Sequence, residues 1–237
     1  MTDNTNPPPS ARLALLIPAL NEEQALAKVL DELPRSLFAR VVVVDNGSTD
    51  ATAAAARARG AEVVAESRRG YGRACLAGLA ALVGEADIVV FMDADASDVP
   101  AEALRLIEPI RRGKADLVIG SRALGQAEPG ALFAHQRWGN WLAVTLIRLL
   151  YGFRYTDLGP FRAIRWTSLE ALGMRDLDFG WTAEMQVKAL RRGLRVREVP
   201  VSYRVRIGRS KISGTVGGAV RAALKIFWTI GRLRLAG

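Results

Sequence analysis

Short apolar runs that alternate with amphipathic stretches are the feature of this chain that most restricts its fold. Residues 41–44 are four consecutive valines, and such a run is typical of a strand that a parallel sheet buries on both faces. Similar patterns predict strands at 12–17, 62–65, 88–92 and 117–119. The helices predicted between them are 22–33, one ending at residue 59, 71–83 and 100–112. This alternation predicts an α/β fold, a doubly wound and mostly parallel sheet flanked by helices.

Polar loops follow three of the predicted strands. In a sheet of this kind, ligands bind at the carboxyl ends of the strands. All three loops carry acidic side chains, so we expect these side chains to meet at one edge of the sheet. The loops are Pro18-Ala19-Leu20-Asn21-Glu22, Asp45-Asn46-Gly47-Ser48 and Asp93-Ala94-Asp95.

Asp93 and Asp95 stand one residue apart at the end of the strand predicted at 88–92. The backbone bends where a strand ends, so the two carboxylates can converge. They repel each other unless a hard cation lies between them, and Mg²⁺ or Mn²⁺ suits this position because these ions take oxygen ligands. A D-x-D pattern alone also occurs in solvated turns. The two other acidic strand ends favour the metal site.

The positive charge of the chain is concentrated at its C-terminal end. The net charge is +9, and residues 188–237 contain thirteen Lys or Arg against one acid, Glu198. Such a segment favours nucleic acid, anionic lipid headgroups or a phosphorylated substrate as partner. The single cysteine, Cys75, excludes an intramolecular disulfide and favours a reducing cytoplasm. We expect residues 1–11 to be a disordered leader, since they show no signal-peptide pattern.

Two apolar stretches in the second half carry charges. Residues 138–151 include Asn140 and Arg148, so they are too short and too polar to span a bilayer. They predict either a buried helix or a helix at the lip of a lipid or substrate groove. Residues 216–235 predict a helix with four cations that either lies in a membrane interface or packs on the core. A helix at 182–192 and a strand at 194–205 are predicted between them.

An ordered series of motifs runs along the chain: IPALNEE, VVVVDNGSTD, RRGYGRA, MDADAS, IGSR, GPFRA and GRSK. The series resembles the inverting family-2 glycosyltransferases of the GT-A fold, and among them the dolichyl-phosphate mannosyltransferase-like polyprenyl-phosphate glycosyltransferases. The resemblance extends from about Leu15 to about Lys211. It implies a GT-A domain at 12–212, with a nucleotide-binding half at 12–122 and an acceptor half at 123–212. A basic amphipathic helix would follow within 213–237.

The resemblance, together with the chemistry of diphosphate departure, assigns roles to individual residues. The metal ligands would be Asp93 and Asp95, and the catalytic residues would be Asp95, Arg122 and Arg162. The expected nucleotide-binding residues are Pro18, Ala19, Asn21, Glu22, Asp45, Gly47, Ser48, Arg68, Gly70 and Asp93. The expected acceptor-binding residues are Asp157, Phe161, Arg162, Glu184, Arg204, Arg206, Ser210 and Lys211.

Several positions depart from the family pattern. Asn46 replaces the second aspartate that usually follows the second strand, and Asp98 stands where many relatives carry histidine. Asp157 lies one residue closer to the Phe-Arg pair than is usual, and Gly159-Pro160 replace Ser-Gly. These changes leave open how the acceptor is recognised.

The charge of the acceptor decides whether the reaction needs a general base. A hydroxyl acceptor needs a carboxylate within hydrogen-bond reach, whereas a phosphate is already ionised and needs cations instead. The basic segment 204–211 and Arg162 fit a phosphate acceptor. Glu184 is the candidate base, with a solvated helix residue as the alternative. His135 is expected to be a polar residue at a helix start rather than a ligand.

The sequence therefore predicts a metal-dependent, inverting glycosyltransferase that uses Mg²⁺ or Mn²⁺. It would move a hexose from a nucleotide-sugar of the GDP-mannose or UDP-glucose type to a lipid phosphate such as polyprenyl or dolichyl phosphate. We expect it at the cytoplasmic face of a membrane, bound peripherally, with a membrane partner protein or a second copy as further candidate partners.

Two alternatives remain open at this point. The first is a glycosyltransferase that acts on a soluble phosphorylated or hydroxyl acceptor. The second is a non-catalytic nucleotide- or nucleic-acid-binding protein. Because the acidic strand ends repel a polyanion, no nucleic-acid partner is expected.

Overall fold

The computed structural model describes residues 11–208 and 216–235. Its strands are β1 Leu13–Ala19, β2 Arg40–Asp45, β3 Glu62–Ala65, β4 Ile88–Phe91, β5 Leu117–Ser121, β6 Arg162–Arg165 and β7 Val196–Pro200. Its helices are α1 Glu23–Asp31, α2 Thr52–Ala58, α3 Tyr71–Ala80, α4 Ala103–Arg111, α5 Ala134–Tyr151, α6 Trp166–Leu172, α7 Trp181–Arg191 and α8 Val216–Leu235. Two short 3₁₀ helices, Arg35–Leu37 and Pro100–Glu102, precede β2 and α4.

Within these residues the strands form one seven-stranded sheet in the order β3-β2-β1-β4-β6-β5-β7. The first four strands along the chain run parallel to one another, and β7 is parallel to β5. β6 is antiparallel to both of its neighbours, β4 and β5. The predicted α/β fold with a mostly parallel sheet is confirmed. The strand order changes direction between β1 and β4, and such a switch point is where this class of sheet opens a crevice for ligands.

The second half contains two elements that the sequence did not predict, β6 and α6. Arg162, within the GPFRA motif, begins β6. Two arginines within four residues hide the strand, because a buried strand is usually recognised by its apolar side chains. The strand predicted at 194–205 is also shorter, since β7 ends at Pro200 and the chain then makes only isolated bridges at Tyr203 within the described residues.

The sheet is covered by helices on both faces. Leu15 and Leu16 of β1 are fully buried yet face opposite layers, as the period-two geometry of a strand requires. Leu15 packs with residues of α1 and α4, and Leu16 packs with residues of α3, α5 and α7. Each such leucine stabilises the fold by about 1.5–3 kcal/mol. The crevice at the sheet edge is therefore held by a sheet that helices pack against on both faces.

Helix α8 packs on the domain through one side and exposes the other. The Tyr151 hydroxyl of α5 donates a hydrogen bond to the Ile230 carbonyl (2.7 Å), and Ile230 and Leu233 are buried. Leu224 and Trp228 on the outer side are more than half exposed. The helix therefore packs on the core, which is one of the two predicted possibilities, and a position in a membrane interface stays a prediction. Among the helices of residues 11–208 and 216–235, none is long and apolar enough to cross a membrane.

Candidate active site

The carboxyl ends of β1, β2 and β4 meet at the switch point and border a cavity of about 730 Å³, which we call the polar cavity. Its wall contains the β1 end, the RRG segment before α3, the paired aspartates and one side of α8. Its lining residues are Pro18, Ala19, Leu20, Asn21, Glu22, Asn46, Arg69, Gly70, Tyr71, Ala74, Asp93, Ala94, Asp95, Asp178, Phe179, Arg206, Gly218, Arg221 and Lys225. Of the acidic side chains that were expected to meet here, Glu22, Asp93 and Asp95 line the cavity and Asp45 does not.

The two aspartates of the D-x-D motif are both held from several sides. Asp95 is buried; one carboxylate oxygen accepts hydrogen bonds from the Ser97 backbone N–H (2.9 Å) and hydroxyl, and the other contacts the Arg206 guanidinium. Asp93 accepts a hydrogen bond from the Tyr71 hydroxyl (3.3 Å). Ala96 between Asp95 and Ser97 has a φ of 62°, a left-handed conformation that costs energy for a residue with a Cβ. The contacts and the backbone conformation of this loop therefore fix the positions of the two carboxylates.

The electrostatics of this loop favour a cation. Burial raises the pKa of Asp93, although the charges of Arg206 and Arg122 oppose the rise. Burial, followed by the charge of Asp93, raises the pKa of Asp98 to about 7. One buried oxygen of Asp98 has no hydrogen-bond partner among the described residues.

A divalent ion fits this environment because it would offset crowded carboxylates, and in this structure the Arg206 guanidinium supplies a positive charge at Asp95. No group of three or more His, Cys, Asp or Glu side chains suited to a metal occurs in residues 11–208 and 216–235. Two carboxylates and substrate oxygens would thus share the coordination, as is usual for Mg²⁺ at phosphate sites.

The hydrogen bonds of Asn46 explain why asparagine, and not the aspartate usual in the family, stands at this position. Its side-chain amide donates hydrogen bonds to the carbonyl oxygens of Glu66 and Arg68 (both 2.9 Å), and its oxygen accepts one from the Gly70 N–H (2.8 Å). An aspartate could not donate the first two bonds. Gly70 has a φ of 149°, and an added Cβ would collide with the Leu177 carbonyl. Asn46 therefore fixes the RRG segment at the mouth of the polar cavity.

The remaining residues predicted to bind nucleotide lie on or beside the cavity. The Asn21 backbone donates to the Ser48 hydroxyl (2.9 Å), and the Asn21 side chain accepts from the Thr49 N–H (2.7 Å), so the first two loops are joined. Asp45, the last residue of β2, accepts from the Ser48 N–H (3.0 Å). Neither Asp45 nor Gly47 lines the cavity.

The RRG segment turns its two arginines in different directions. Arg68, the predicted phosphate partner, pairs with Glu66 (3.2 Å) and keeps 72% of its side chain exposed. Its neighbour Arg69 lines the polar cavity instead. Sequence alone could not choose between adjacent arginines, because the choice depends on the backbone turn that Asn46 and Gly70 impose. Arg69 is thus a site residue that the sequence analysis missed.

A second cavity of about 780 Å³ lies between α5 and α8, and we call it the apolar cavity. It adjoins the polar cavity, because Tyr71, Asp93, Phe179 and Arg206 line both. Its lining residues are Tyr71, Asp93, Arg122, Ala134, His135, Gln136, Trp138, Gly139, Asn140, Leu142, Leu158, Pro160, Phe179, Thr182, Tyr203, Arg206, Val220, Ala222, Ala223, Ile226 and Phe227. Its charged groups cluster at the end near Asp93, and α5 and α8 supply mostly apolar side chains.

Arg122 is aimed into the apolar cavity by Asp157. The two side chains form a bidentate pair, Nε to Oδ2 and Nη2 to Oδ1, each 2.7 Å, and the guanidinium lies 5.1 Å from the Tyr203 ring centre. Burial lowers the pKa of Arg122, but the charge of Asp157, its hydrogen bonds and the further charges of Tyr203 and Asp98 together raise the pKa. The Asp157 backbone N–H is held by Glu198 (3.0 Å). Both Asp157 oxygens face Arg122, so Asp157 positions an arginine rather than facing an acceptor here.

Three other predicted acceptor or catalytic residues are buried and line neither cavity. Arg162 is 1% exposed and donates to backbone carbonyls, including that of Thr182 (3.1 Å). Phe161 packs in the core. Glu184 accepts from the Asp176 N–H (2.7 Å) and pairs with Lys188 (2.7 Å). It is buried and lines neither cavity, so it is not the solvated helix residue of the alternative prediction. Motif position indicated their neighbourhood but not the direction of their side chains.

The basic segment after β7 is only partly near the site. Arg204 pairs with Glu32 of the α1 end (2.7 Å), whereas Arg206 reaches Asp95 and lines both cavities. Ser210 and Lys211 lie outside the described residues. His135 stands at the start of α5, as predicted, and stacks on Phe133 with ring centres 5.7 Å apart.

The sheet topology and the acidic switch point define a GT-A-like nucleotide-sugar transferase fold. The model of glycosyl transferase family 2 matches residues 14–173, and the chain therefore belongs to this family of glycosyltransferases. The chain is 37% identical over 223 residues to an uncharacterised glycosyltransferase of Mycobacterium tuberculosis, covering 92% of this chain and 97% of that one.

Two further comparisons differ in the acceptor that the matched protein's name indicates. An undecaprenyl-phosphate mannosyltransferase of Micrococcus luteus is 32% identical over 223 residues, with 87% of this chain and 90% of that one covered. Glucosyl-3-phosphoglycerate synthase of Mycobacterium tuberculosis superposes with a TM-score of 0.77 at 24% identity, covering 96% of this chain and 81% of that one. That synthase has been crystallised with Mn²⁺ and UDP-glucose, and with Mg²⁺ and UDP. This structural likeness shows the fold.

Proposed function

We propose that this glycosyltransferase is metal-dependent and inverting, and that it transfers a hexose from a nucleotide-sugar to a lipid phosphate. The observation that carries the proposal is the apolar cavity between α5 and α8, which opens onto Asp93, Arg122 and Arg206. A cavity with apolar walls and a cationic end suits an acceptor made of a hydrocarbon chain and a phosphate.

The donor would occupy the polar cavity, with its nucleoside toward the loops after β1 and β2 and its diphosphate toward Asp93 and Asp95. Negative charge develops on the departing diphosphate as the glycosidic bond breaks. Mg²⁺ or Mn²⁺ held by these two aspartates would supply Lewis-acid stabilisation of that charge. Arg69 and Arg206 line the same cavity and would contact phosphate oxygens. The solved structures of the 3-phosphoglycerate enzyme with Mn²⁺ and UDP-glucose support this donor class.

The acceptor phosphate would bind between Arg122 and Arg206. Arg122 is held in place by Asp157, and Arg206 lines both cavities, so the two guanidiniums lie on the path from acceptor to donor. A phosphate oxygen is already ionised at neutral pH and attacks without a general base. The buried and fully engaged Glu184 agrees with such a reaction.

The surfaces of α5 and α8 support a place at a membrane. The two helices that border the apolar cavity carry exposed tryptophans. More than half of each side chain is exposed at Trp138 and Trp141 of α5 and at Trp228 of α8. Exposed tryptophans with nearby arginines are typical of helices that lie in the lipid interface. The cytoplasmic face, and a membrane partner or second copy, are part of the same proposal. The mannosyltransferase relative supports the lipid acceptor by its name.

A second candidate function is transfer to a soluble phosphorylated acceptor. The structural likeness to the 3-phosphoglycerate enzyme favours it, and the Arg122–Arg206 end of the apolar cavity would accept either kind of phosphate. A hydrocarbon chain is what distinguishes the two, because a small anion would leave the walls from α5 and α8 unfilled.

The test is a transfer assay with the full chain, labelled UDP-glucose or GDP-mannose, Mn²⁺, and either polyprenyl phosphate or 3-phosphoglycerate. We expect label in the organic phase with polyprenyl phosphate. Asp95→Ala should lower the rate at least about a hundredfold, the scale of losing a main electrostatic contribution. Asp87→Ala is the matched control. Asp87 precedes the amino end of β4, opposite to the end that carries Asp93 and Asp95, and it pairs with Arg12.

The outcomes separate the two candidates. Label found only on the soluble acceptor would replace the lipid proposal with the second candidate. An unlabelled organic phase with every donor would overturn the lipid acceptor, and full activity of Asp95→Ala would overturn the metal assignment.

A further inference from the structure

Helix α8 supplies two cations to the polar cavity, and no motif of the sequence pointed to them. Arg221 and Lys225 are four residues apart, so they lie on one face of the helix. Both line the polar cavity. The next stripe of the same helix, which includes Ala222, Ile226 and Phe227, lines the apolar cavity. α8 therefore borders both cavities, with a cationic face toward the polar cavity and an apolar face toward the apolar cavity.

Lys225 is held in this position by a buried carboxylate. Its ammonium lies 3.1 Å from Asp176, whose side chain is 1% exposed, while Lys225 keeps 35% exposure. Asp176 in turn accepts hydrogen bonds from the backbone N–H groups of Asp178 (2.9 Å) and Gly180 (3.1 Å). The ammonium also lies 5.5 Å from the Trp228 ring centre. A lysine fixed by such partners keeps its charge at one place on the cavity wall.

Arg221 stands one turn earlier and is less constrained. It is exposed, and its Nε donates to the Gly217 carbonyl of its own helix (3.4 Å). The charges of Lys225 and Arg221 both act on Asp178, which also lines the cavity: burial and then Asp176 raise the Asp178 pKa, and the two cations oppose that rise. The guanidinium is thus within electrostatic range of the cavity and can turn toward an anion.

The charge balance of the polar cavity depends on these two residues. Its acidic lining residues are Glu22, Asp93, Asp95 and Asp178, and its cationic ones are Arg69, Arg206, Arg221 and Lys225. Without Arg221 and Lys225, acidic residues would outnumber cationic residues two to one in the lining of the polar cavity. A diphosphate carries at least two negative charges, so cations on α8 would favour its entry in addition to the charge that a metal at Asp93 and Asp95 would supply.

We propose that Arg221 and Lys225 of α8 form an anion site for the diphosphate of the donor. The inference rests on the proposed function, because it takes a nucleoside diphosphate as the ligand of the polar cavity. α8 then belongs to the donor site as well as to the acceptor side, and the two substrates meet where the cavities adjoin, at Asp93 and Arg206.

The test measures the affinity of the full chain for UDP, UMP, GDP and GMP by calorimetry, with Mn²⁺ and again with EDTA. The variants are Arg221→Ala and Lys225→Gln, since glutamine keeps a hydrogen bond to Asp176 without the charge. Arg234→Ala is the matched control, an exposed arginine of the same helix that does not line either cavity. Each cavity variant should weaken binding of the diphosphate about tenfold, as expected for a lost charge-assisted hydrogen bond.

Three readouts distinguish a binding role from a structural one. The loss should be larger for the diphosphate than for the monophosphate, should persist with EDTA, and should shrink at high salt. If the wild type binds UDP or GDP and both cavity variants bind it as tightly as Arg234→Ala, the α8 site is wrong while the donor class stands. Equal losses for mono- and diphosphate would also overturn it. A wild type that binds no nucleotide would remove the proposed function and this inference together.

Discussion

At the scale of single residues, Asp157 is where side-chain direction changes the interpretation most. Its motif position suggests an acceptor ligand, but both carboxylate oxygens bind Arg122 and its backbone is tied to Glu198. Such a residue acts through the arginine that it holds. Asn46 is a second example. Asparagine in place of the family's aspartate removes a charge, but its side-chain amide donates two hydrogen bonds, to the carbonyls of Glu66 and Arg68, which hold the RRG segment.

A double-mutant cycle tests the positioning role of Asp157. Asp157→Ala should lower kcat/KM for the acceptor by up to about a hundredfold, the scale of a misplaced catalytic group. Because the effect passes through Arg122, adding Asp157→Ala to Arg122→Ala should change the rate little further. Kinetics of the four proteins against acceptor concentration provide the measurement.

Folding must be separated from catalysis in this cycle. Removing one partner of a buried pair destabilises a protein by about 3–5 kcal/mol, so thermal unfolding is followed for each variant. Asp157→Asn, which keeps one acceptor oxygen, should recover part of the activity. Independent, multiplying effects of the two substitutions would show that Asp157 has a role apart from Arg122.

At the scale of secondary-structure elements, the close contact between α3 and the loop before α7 holds the polar cavity together. Arg73 of α3 donates its N–H to the Leu177 carbonyl (3.1 Å), and a Cβ on Gly72 would collide with the Asp176 carbonyl. The same loop carries Asp176, which holds Lys225 of α8. One contact thus links the RRG segment, the loop and α8.

Gly72→Ala tests this contact. The substitution should destabilise the fold by about 1–3 kcal/mol, the cost of overpacking, and so lower the Tm by roughly 2–12 °C for a chain of this size. Gly139→Ala in α5 is the control, because no atom lies within 4 Å of its added Cβ. Alanine is the better helix residue there, so it should stabilise by about 0.5–1 kcal/mol. Equal Tm values for both variants would contradict the close approach.

The sequence predicts elements well where one physical signal is strong. The valine run of β2, the apolar β4 and the span of α8, predicted at 216–235, all agree with the structure. β6 was missed because tertiary contacts that no local pattern contains hold its arginines. Arg162 donates hydrogen bonds to carbonyls, and Arg165 pairs with Asp116 and donates to the Ile110 carbonyl. The choice of Arg69 over Arg68, and the reach of Lys225 into the cavity, likewise depend on long-range packing. The motifs indicated where the site lies, but not which side chains line it.

At the scale of the whole molecule, the helices that border the apolar cavity are also those that expose large apolar side chains. On α5 these include Trp138 (65% exposed), and on α8 they include Leu224 (62%) and Trp228 (55%). Arg232 stacks over the Trp228 ring at 4.5 Å, so cations accompany the aromatic surface. A lipid substrate would reach the cavity most directly if these two helices faced the bilayer.

Vesicle flotation tests this orientation. The wild type should float with vesicles that contain phosphatidylglycerol and less with pure phosphatidylcholine, because each surface arginine contributes up to about 1 kcal/mol to binding an anionic membrane. High salt should weaken the binding by screening that attraction. The double variant Trp138→Ser/Trp228→Ser should lose flotation even at low salt, since tryptophan side chains anchor in the lipid interface.

The matched control for flotation is Val83→Ser, which removes an equally exposed apolar side chain (65%) just after α3, outside the lining of the apolar cavity. It should float like the wild type, because loss of general surface hydrophobicity would not release the protein. If Val83→Ser and the double tryptophan variant float equally well, α5 and α8 do not form the membrane-binding surface. The apolar cavity would then have to receive its acceptor from solution or from a carrier protein, and the soluble-acceptor alternative would gain weight on grounds independent of the transfer assay.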